Sequence, residues 1–146
     1  MRHRGDLVHI TTRGRWKEIQ ISGWLRPADQ LGSKRPPSSE PNLVSVFELS
    51  RTDVRTLREL RAMVCRQKNT APNMKLRVGQ FVALRVSSTC SVAWQSASPK
   101  ELDLLPDLTD RTRKAVLRFQ KTPDSVPSTC LDELKLRRWK LWGRFK

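Results

Sequence analysis

The chain has 146 residues, and its 29 Lys and Arg against 14 Asp and Glu give a formal net charge of +15. This length suits one domain, and the 36 residues that are Leu, Ile, Val or Phe suffice for a core, which excludes a wholly disordered chain. No apolar run approaches the roughly 20 residues that cross a bilayer, and no hydrophobic signal segment follows Met1, so we expect neither a membrane partner nor secretion.

The first third of the chain is predicted to contain a basic arm, a strand and a long loop. Residues 1–15 hold four Arg and one acid without a sustained apolar period, which predicts an extended basic N-terminal arm. Apolar and polar side chains then alternate over residues 16–25, a pattern typical of a half-buried strand. Repeated Pro and Ser over residues 27–42 indicate a loop.

The central part begins with a second strand, predicted over residues 43–49 and apolar enough to be buried on both faces. Two interpretations stay open for residues 50–66. As a helix, the segment has Ser50 as its cap and places Leu57, Leu60 and Val64 on one face. As a loop followed by a strand, it offers the apolar run of residues 61–66. The local pattern favours the helix.

The second half opens with the clearest strand pattern, over residues 75–86, in which Gly79 indicates a bulge. A polar turn and a further alternation over residues 90–94 predict a hairpin. The capping-box sequence at Ser98 then predicts that a helical third begins. Within it we expect a helix over residues 107–121 and another from about Ser128 that ends in a basic, aromatic tail.

The chemistry for catalysis or metal binding is sparse. The free thiols of Cys65, Cys90 and Cys130 are widely spaced, and His3 and His9 lie together near the start, so no zinc-ligand spacing appears. The odd, scattered cysteines also argue against disulfides and for a reducing compartment. Because paired carboxylates, a nucleophile with its base and a Gly-rich phosphate loop are all missing from the sequence, we expect no enzyme, cofactor, metal or small-molecule substrate.

The unbalanced charge points instead to a polyanion. A charge of +15 on so small a body is costly unless a partner neutralises it, and nucleic acid is the usual partner. Arg outnumbers Lys by 19 to 10, and a guanidinium can hold phosphate with two hydrogen bonds or stack on a base.

Residues 16–95 resemble the seventeenth family of small-subunit ribosomal proteins. The residues that carry the resemblance are Ile21 to Leu25, Leu43 to Leu49, Arg61 to Asn69, the Val-Gly strand from Arg77 to Val86, and Trp94 after it. The resemblance implies a mainly β fold with a helical extension (α+β): a five-stranded OB-type barrel over residues 16–96, then two or three helices in a basic extension over residues 97–146. It also implies that the second half of residues 51–67 is a strand.

The same resemblance implies a structural, RNA-binding component of the small ribosomal subunit, with ribosomal RNA and neighbouring ribosomal proteins as partners. The added C-terminal extension looks like a mitochondrial member, with cytoplasmic or plastid ribosomes as alternatives. The residues expected to contact RNA are basic side chains of the two long loops and the clear strand, and the tail: Arg26, Lys34, Arg35, Arg51, Arg55, Arg58, Arg77, Arg85, Arg137, Arg138, Lys140, Trp142 and Arg144.

Two other functions stay open. One is a single-stranded nucleic-acid-binding barrel outside the ribosome, in which Trp24 or Trp94 stacks on bases. The other is a basic protein-interaction or packaging protein without a barrel.

Overall fold

A computed structural model describes residues 5–27, 43–69, 75–96 and 108–136, which form a mixed α+β fold around an antiparallel sheet. In chain order the helices and strands are β1 (Asp6–Thr12), α1 (Arg13–Ser22), β2 (Trp24–Leu25), β3 (Val44–Leu49), α2 (Val54–Lys68), β4 (Phe81–Val86), β5 (Gln95–Ser96), α3 (Asp110–Ala115), β6 (Val116–Thr122), β7 (Val126–Pro127) and β8 (Leu131–Leu134). Single 3-10 turns, Val78–Gln80 and Ser128–Cys130, lead into β4 and β8.

The main sheet has six strands in the order β5-β6-β3-β1-β4-β8, and each neighbouring pair is antiparallel. Strands β2 and β7 form a separate two-stranded ribbon. Within the described residues the edge strands β5 and β8 do not pair with each other, so the sheet is open. The α+β class is therefore confirmed, but the described part of the chain does not form the closed five-stranded barrel.

Strand β1 occupies the centre of this sheet, so the prediction of an extended arm is wrong for residues 6–12. Leu7 packs on one face of the sheet and Val8 on the opposite face, and both are buried. The four Arg of residues 1–15 indicate an arm, whereas the strand signal consists only of the apolar residues Leu7, Val8 and Ile10. The segment is nevertheless long enough to pair with two neighbours.

Helix α1 replaces the strand that was predicted over residues 16–25. The Thr12 hydroxyl caps it by accepting a hydrogen bond from the Arg15 amide at 3.2 Å, and Gly23 ends it with a φ of 86°, which favours glycine. Trp16 and Ile19, three residues apart, form its buried side. Ile21 had to be buried in the strand interpretation, but it is 88% exposed.

Helix α2 confirms the helical interpretation of the ambiguous central segment and excludes the strand that the family resemblance implied for its second half. The cap is Asp53, not Ser50: its carboxylate accepts the Thr56 amide at 2.8 Å. The buried side chains recur at helical spacing and face the sheet: Leu57, Leu60, Met63 and Val64.

The sheet is covered on both faces by apolar side chains. On one face α2 packs against Val8, Ile10 and Phe81. On the other face α1 and the β2–β7 ribbon pack against β3 and β4, and Ile19 and Leu84 belong to the same core cluster on that face. Both faces are therefore part of the core, and the buried Glu48 is paired with Arg118 across β3 and β6 at 2.9 Å.

The C-terminal half is more strand-rich than the sequence indicated. The helix predicted over residues 107–121 is wrong beyond Ala115, because Val116–Thr122 is strand β6. Similarly, the predicted helix from Ser128 is a 3-10 turn followed by β8 as far as Leu134. β-branched and aromatic side chains in β6 favour a strand, and cross-strand partners in β3 stabilise it.

The hairpin predicted after the clear strand also differs. Strand β4 is confirmed, but its first residues form the turn Val78–Gln80. The following strand is only Gln95–Ser96, and it pairs with β6 at the other side of the sheet instead of returning along β4. The helix predicted to begin at Ser98 lies outside the described residues.

Candidate nucleic-acid interface

Basic side chains collect at one end of the sheet. Antiparallel pairing of Thr12 with Phe81, and of Ala83 with Leu134, places the end of β1, the start of β4 and the end of β8 side by side at the same end of the sheet. Helix α2 contributes three more cations to this region. We call these residues the basic end: Arg13, Arg15, Arg58, Arg61, Lys68, Arg77 and Lys135.

A cleft of about 620 Å³ opens at the basic end, and we call it the arginine cleft. Its apolar floor includes Phe81 and Leu136. Its charged walls come from three different parts of the fold: α1 and α2, and the strand β8 with the residue after it. These charged residues are Arg13, Arg58, Arg61, Glu133 and Lys135.

Two arginines of α2 lie three residues apart and are held differently. Arg58 donates from Nε to the backbone carbonyl of Leu136 at 3.1 Å, which fixes the root of its guanidinium. The Nε of Arg61 is buried and has no hydrogen-bond partner among the described residues. An unpaired buried donor costs about 1–3 kcal/mol. The fold therefore holds Arg61 in the cleft wall at a cost to its stability.

The charges in the arginine cleft are poorly balanced. Burial lowers the pKa of Arg61, and the positive charges of Arg58 and Arg13 lower it further. Among the described residues, the single carboxylate lining the cleft belongs to Glu133, whose Oε2 lies 3.5 Å from Nη1 of Arg13. Because both side chains of that pair are largely exposed, the pair stabilises the fold by about 1 kcal/mol at most.

A second group of cations lies beside the cleft. Burial and the charge of Arg15 lower the pKa of Lys68, which shows that the ends of α1 and α2 bring these two side chains together. Burial also lowers the pKa of His9 to about 4, and Lys68 and Arg15 act in the same direction against its 2.8 Å contact with the Ser45 carbonyl. His9 is therefore neutral at pH 7.

Acidic residues away from the basic end have structural partners. Asp53 contacts Arg111 at 2.8 Å, and the hydrogen bond from the Thr56 amide is the main reason that its pKa is lowered. Glu59 accepts hydrogen bonds from the hydroxyls of Thr112, at 2.6 Å, and Thr109, which lower its pKa although burial acts to raise it. These contacts fasten α3 to α2.

The expected RNA contacts are scattered over the described part of the fold. Arg58 lines the arginine cleft and Arg77 lies at the basic end. Arg51 follows β3, and Leu49 of β3 pairs with Asp6, so Arg51 lies at the opposite end of the sheet. Arg85 lies across from Asp132 in β8.

The remaining expected contacts do not line the arginine cleft or lie outside the described residues. Arg55 is 3.7 Å from Glu59, and Arg26 is exposed after the β2–β7 ribbon. The others lie outside the described residues: Lys34, Arg35, Arg137, Arg138, Lys140, Trp142 and Arg144. Five members of the basic end were not among the residues expected to contact RNA, namely Arg13, Arg15, Arg61, Lys68 and Lys135. Of these, the i, i+3 spacing of Arg58 and Arg61 on a helix was a usable signal.

Comparison of the chain with protein-family models, with curated proteins and with solved structures finds no match. None of the helices in the described ranges combines the length and apolar character that a membrane span requires. Over the same ranges, no three His, Cys, Asp or Glu side chains are grouped in a way that could hold a metal ion.

Proposed function

We propose that this protein is a non-catalytic RNA-binding protein that docks on the sugar-phosphate backbone through its basic end. The observation that carries the proposal is that cations of α1, of α2 and of the segments flanking β4 and β8 lie at one end of the sheet, where Glu133 is the one carboxylate that the described residues supply to the cleft. Such an arrangement is unfavourable in the free protein and becomes favourable when phosphates neutralise it.

RNA is the preferred nucleic acid because arginine dominates the positive charge, 19 Arg to 10 Lys. A guanidinium binds phosphate with paired hydrogen bonds and also stacks on unpaired bases, which folded RNA presents in loops and bulges. Phosphate contacts position a protein without reading sequence, so we expect recognition of shape and charge.

A place in a small ribosomal subunit, in mitochondria, is the narrower form of the proposal. It comes from the family resemblance, and helices α1 and α2 occupy segments that the resemblance assigned to barrel strands. The general RNA-binding proposal does not depend on it. Sedimentation of cell extract tests the narrower form: co-migration with small ribosomal particles after a moderate-salt wash supports it, and a free pool contradicts it.

The general proposal is tested by fluorescence anisotropy with a labelled, structured RNA over a range of salt concentrations. The logarithm of the association constant should fall linearly with the logarithm of salt concentration, with a slope of roughly −0.7 to −0.9 per phosphate neutralised. A salt-insensitive affinity would contradict the proposal.

A pair of double variants locates the contact. Arg77→Gln with Lys135→Gln removes two positive charges from the basic end, and Arg51→Gln with Arg85→Gln removes two elsewhere. The first variant should reduce the salt slope by about 1–2 and the second by clearly less. Equal losses would show that binding depends on total charge and would refute the assignment to this end.

A second candidate is stacking of single-stranded nucleic acid on Trp24, which is 44% exposed and lies two residues before Arg26. Trp94, in contrast, packs against the core cluster beneath α1. Trp24→Ala should weaken binding of unstructured oligonucleotide without loss of stability if this candidate is correct, and Trp94→Ala should mainly lower stability.

A further inference from the structure

The arginine cleft has features beyond general positive charge. Its walls combine a buried donor without a partner, on Arg61, with two further guanidinium groups that lie close enough to lower the pKa of Arg61. Arg58 donates its Nε to the Leu136 carbonyl at 3.1 Å, which holds this side chain in the cleft wall. Three guanidinium groups from α1 and α2 therefore line one cleft.

The carboxylate in the cleft is weakly engaged. Glu133 approaches Arg13 to 3.5 Å, which is longer than the 2.7–2.9 Å expected for a charge-assisted hydrogen bond. It leaves the Nε of Arg61 unpaired. An anion with several oxygens could contact the guanidinium groups of Arg61 and Arg58 together where they line the cleft, and it would compete with Glu133 for Arg13.

We propose that the arginine cleft is a binding site for a single phosphate group, held by Arg61, Arg58 and Arg13, with Glu133 as the group that the phosphate displaces from Arg13. Phosphate suits the site because its tetrahedral oxygens accept hydrogen bonds from several guanidinium groups at once. Within the proposed function, on which this inference rests, the phosphate belongs to an RNA strand.

Because Glu133 competes with phosphate for Arg13, substitutions of Glu133 and of Arg61 should change the affinity for phosphate in opposite directions. Arg61→Gln removes the charge and should weaken binding about tenfold, the loss expected for charge-assisted hydrogen bonds. Glu133→Gln removes the competing carboxylate and should tighten binding about threefold, because Arg13 no longer has an internal ion pair. Arg51→Gln, at the opposite end of the sheet, is the matched control and should change affinity little.

The first experiment uses the full chain and inorganic phosphate or pyrophosphate, with affinity measured by calorimetry and the effect on stability by thermal unfolding. A ligand that binds the folded state alone stabilises it by RT ln(1 + [L]/Kd), so the unfolding temperature rises with ligand concentration and with affinity. The expected order of affinity is Glu133→Gln, then wild type and Arg51→Gln, then Arg61→Gln. A loss of affinity in Glu133→Gln, or unchanged affinity in Arg61→Gln, would overturn the site.

The second experiment identifies the source of the phosphate. Two oligoribonucleotides of the same sequence, one with a 5′-phosphate and one with a 5′-hydroxyl, are compared on each variant. Dependence on Arg61 with both RNAs assigns the site to a backbone phosphate, and dependence only with the 5′-phosphate assigns it to a terminal one.

The two proposals fail in different ways. If RNA binds with a normal salt slope but neither Arg61→Gln nor Glu133→Gln alters affinity, the cleft proposal is wrong and the RNA-binding function stands. If phosphate binds through Arg61 but RNA does not bind, the site stands and the proposed function is wrong. Far-ultraviolet circular dichroism of each variant confirms that the fold is retained.

Discussion

Replacement of Arg61 by Met should make the free protein more stable, although it removes a charged side chain from a partly exposed helix. In the folded state the Nε of Arg61 is buried without an acceptor, and burial with the charges of Arg58 and Arg13 lowers its pKa. A base whose pKa is lowered on folding destabilises the fold when it is charged. Met keeps a flexible apolar stem of similar length and carries neither the donor nor the charge.

The size of the gain follows from two contributions. Leaving a buried donor unpaired costs about 1–3 kcal/mol, and this cost disappears in Arg61→Met. Repulsion from Arg58 and Arg13 across the solvent-exposed cleft adds a few tenths of a kcal/mol for each pair at moderate salt. Lost contacts of the guanidinium plane act against these terms, so we expect a net gain of about 1–2 kcal/mol.

Urea unfolding at low salt and at about 0.5 M salt measures both contributions, because salt screens the repulsion and leaves the unpaired donor unchanged. The stabilisation by Arg61→Met should be larger at low salt. Arg51→Met, exposed and outside the cleft, is the control and should stay within about 0.5 kcal/mol of wild type. A lower unfolding free energy for Arg61→Met at low salt would refute the view that the cleft is strained without its ligand.

Three further predictions concern the sheet. The pKa of His9 is about 4 in the folded state and 6.5 in the unfolded state, so its contribution to stability is full above pH 6.5 and is lost as pH falls toward 4. Urea unfolding should therefore show a loss of about 1–2 kcal/mol between pH 7 and pH 5, and His9→Gln should abolish this loss. An equal loss in the variant would contradict the assignment to His9. Glu48 is fully buried and contacts Arg118 at 2.9 Å, so Glu48→Ala should lower the unfolding free energy by about 3 kcal/mol, and a loss below about 1 kcal/mol would show that the pair is dispensable. A Cβ on Gly5 would lie 2.0 Å from the Leu49 carbonyl oxygen, so Gly5→Ala should separate β1 from β3 and cost about 1–3 kcal/mol in the same assay, whereas a neutral effect would show that this edge adjusts freely.

The sequence predicted the elements in which local and global signals agree. In α2 the apolar spacing from Leu57 to Val64 favours a helix, and the same residues bury that side against the sheet, although the cap is Asp53 and not the predicted Ser50. Strand β3 is buried on both faces because Val44 and Val46 join the core cluster on one side of the sheet and Leu49 joins the cluster on the other. These two elements are confirmed close to their predicted bounds.

The failures occur where two periods fit one short segment. Trp16 and Ile19 belong to a helical spacing, while the residues from Ile19 to Leu25 also alternate, and the exposure of Ile21 becomes visible only in three dimensions. Over residues 107–121 the pattern predicts one helix, but the chain changes from α3 to β6 at Val116, where pairing with Leu49 of β3 favours the strand.

The candidate site was predictable in kind but not in place. Net charge alone indicated a polyanionic partner, and Arg58 was among the expected contacts. Arg13 and Lys135, however, are more than 100 residues apart in the chain, and only the pairing of β1 with β4 and of β4 with β8 brings them to one cleft. No local pattern carries that information, because strand order is a property of the whole sheet.

The location of the basic end has a physical cause in the sheet itself. Because apolar side chains cover most of both faces, the cations of the basic end come from the helices and from segments at the ends of strands. Three of those ends meet at one edge, so cations that are distant in sequence become neighbours whose repulsion the fold must tolerate. Asp53 is paired with Arg111, whereas Arg58 and Arg61 share the cleft with one weakly engaged carboxylate among the described residues, so a bound anion would relieve their repulsion.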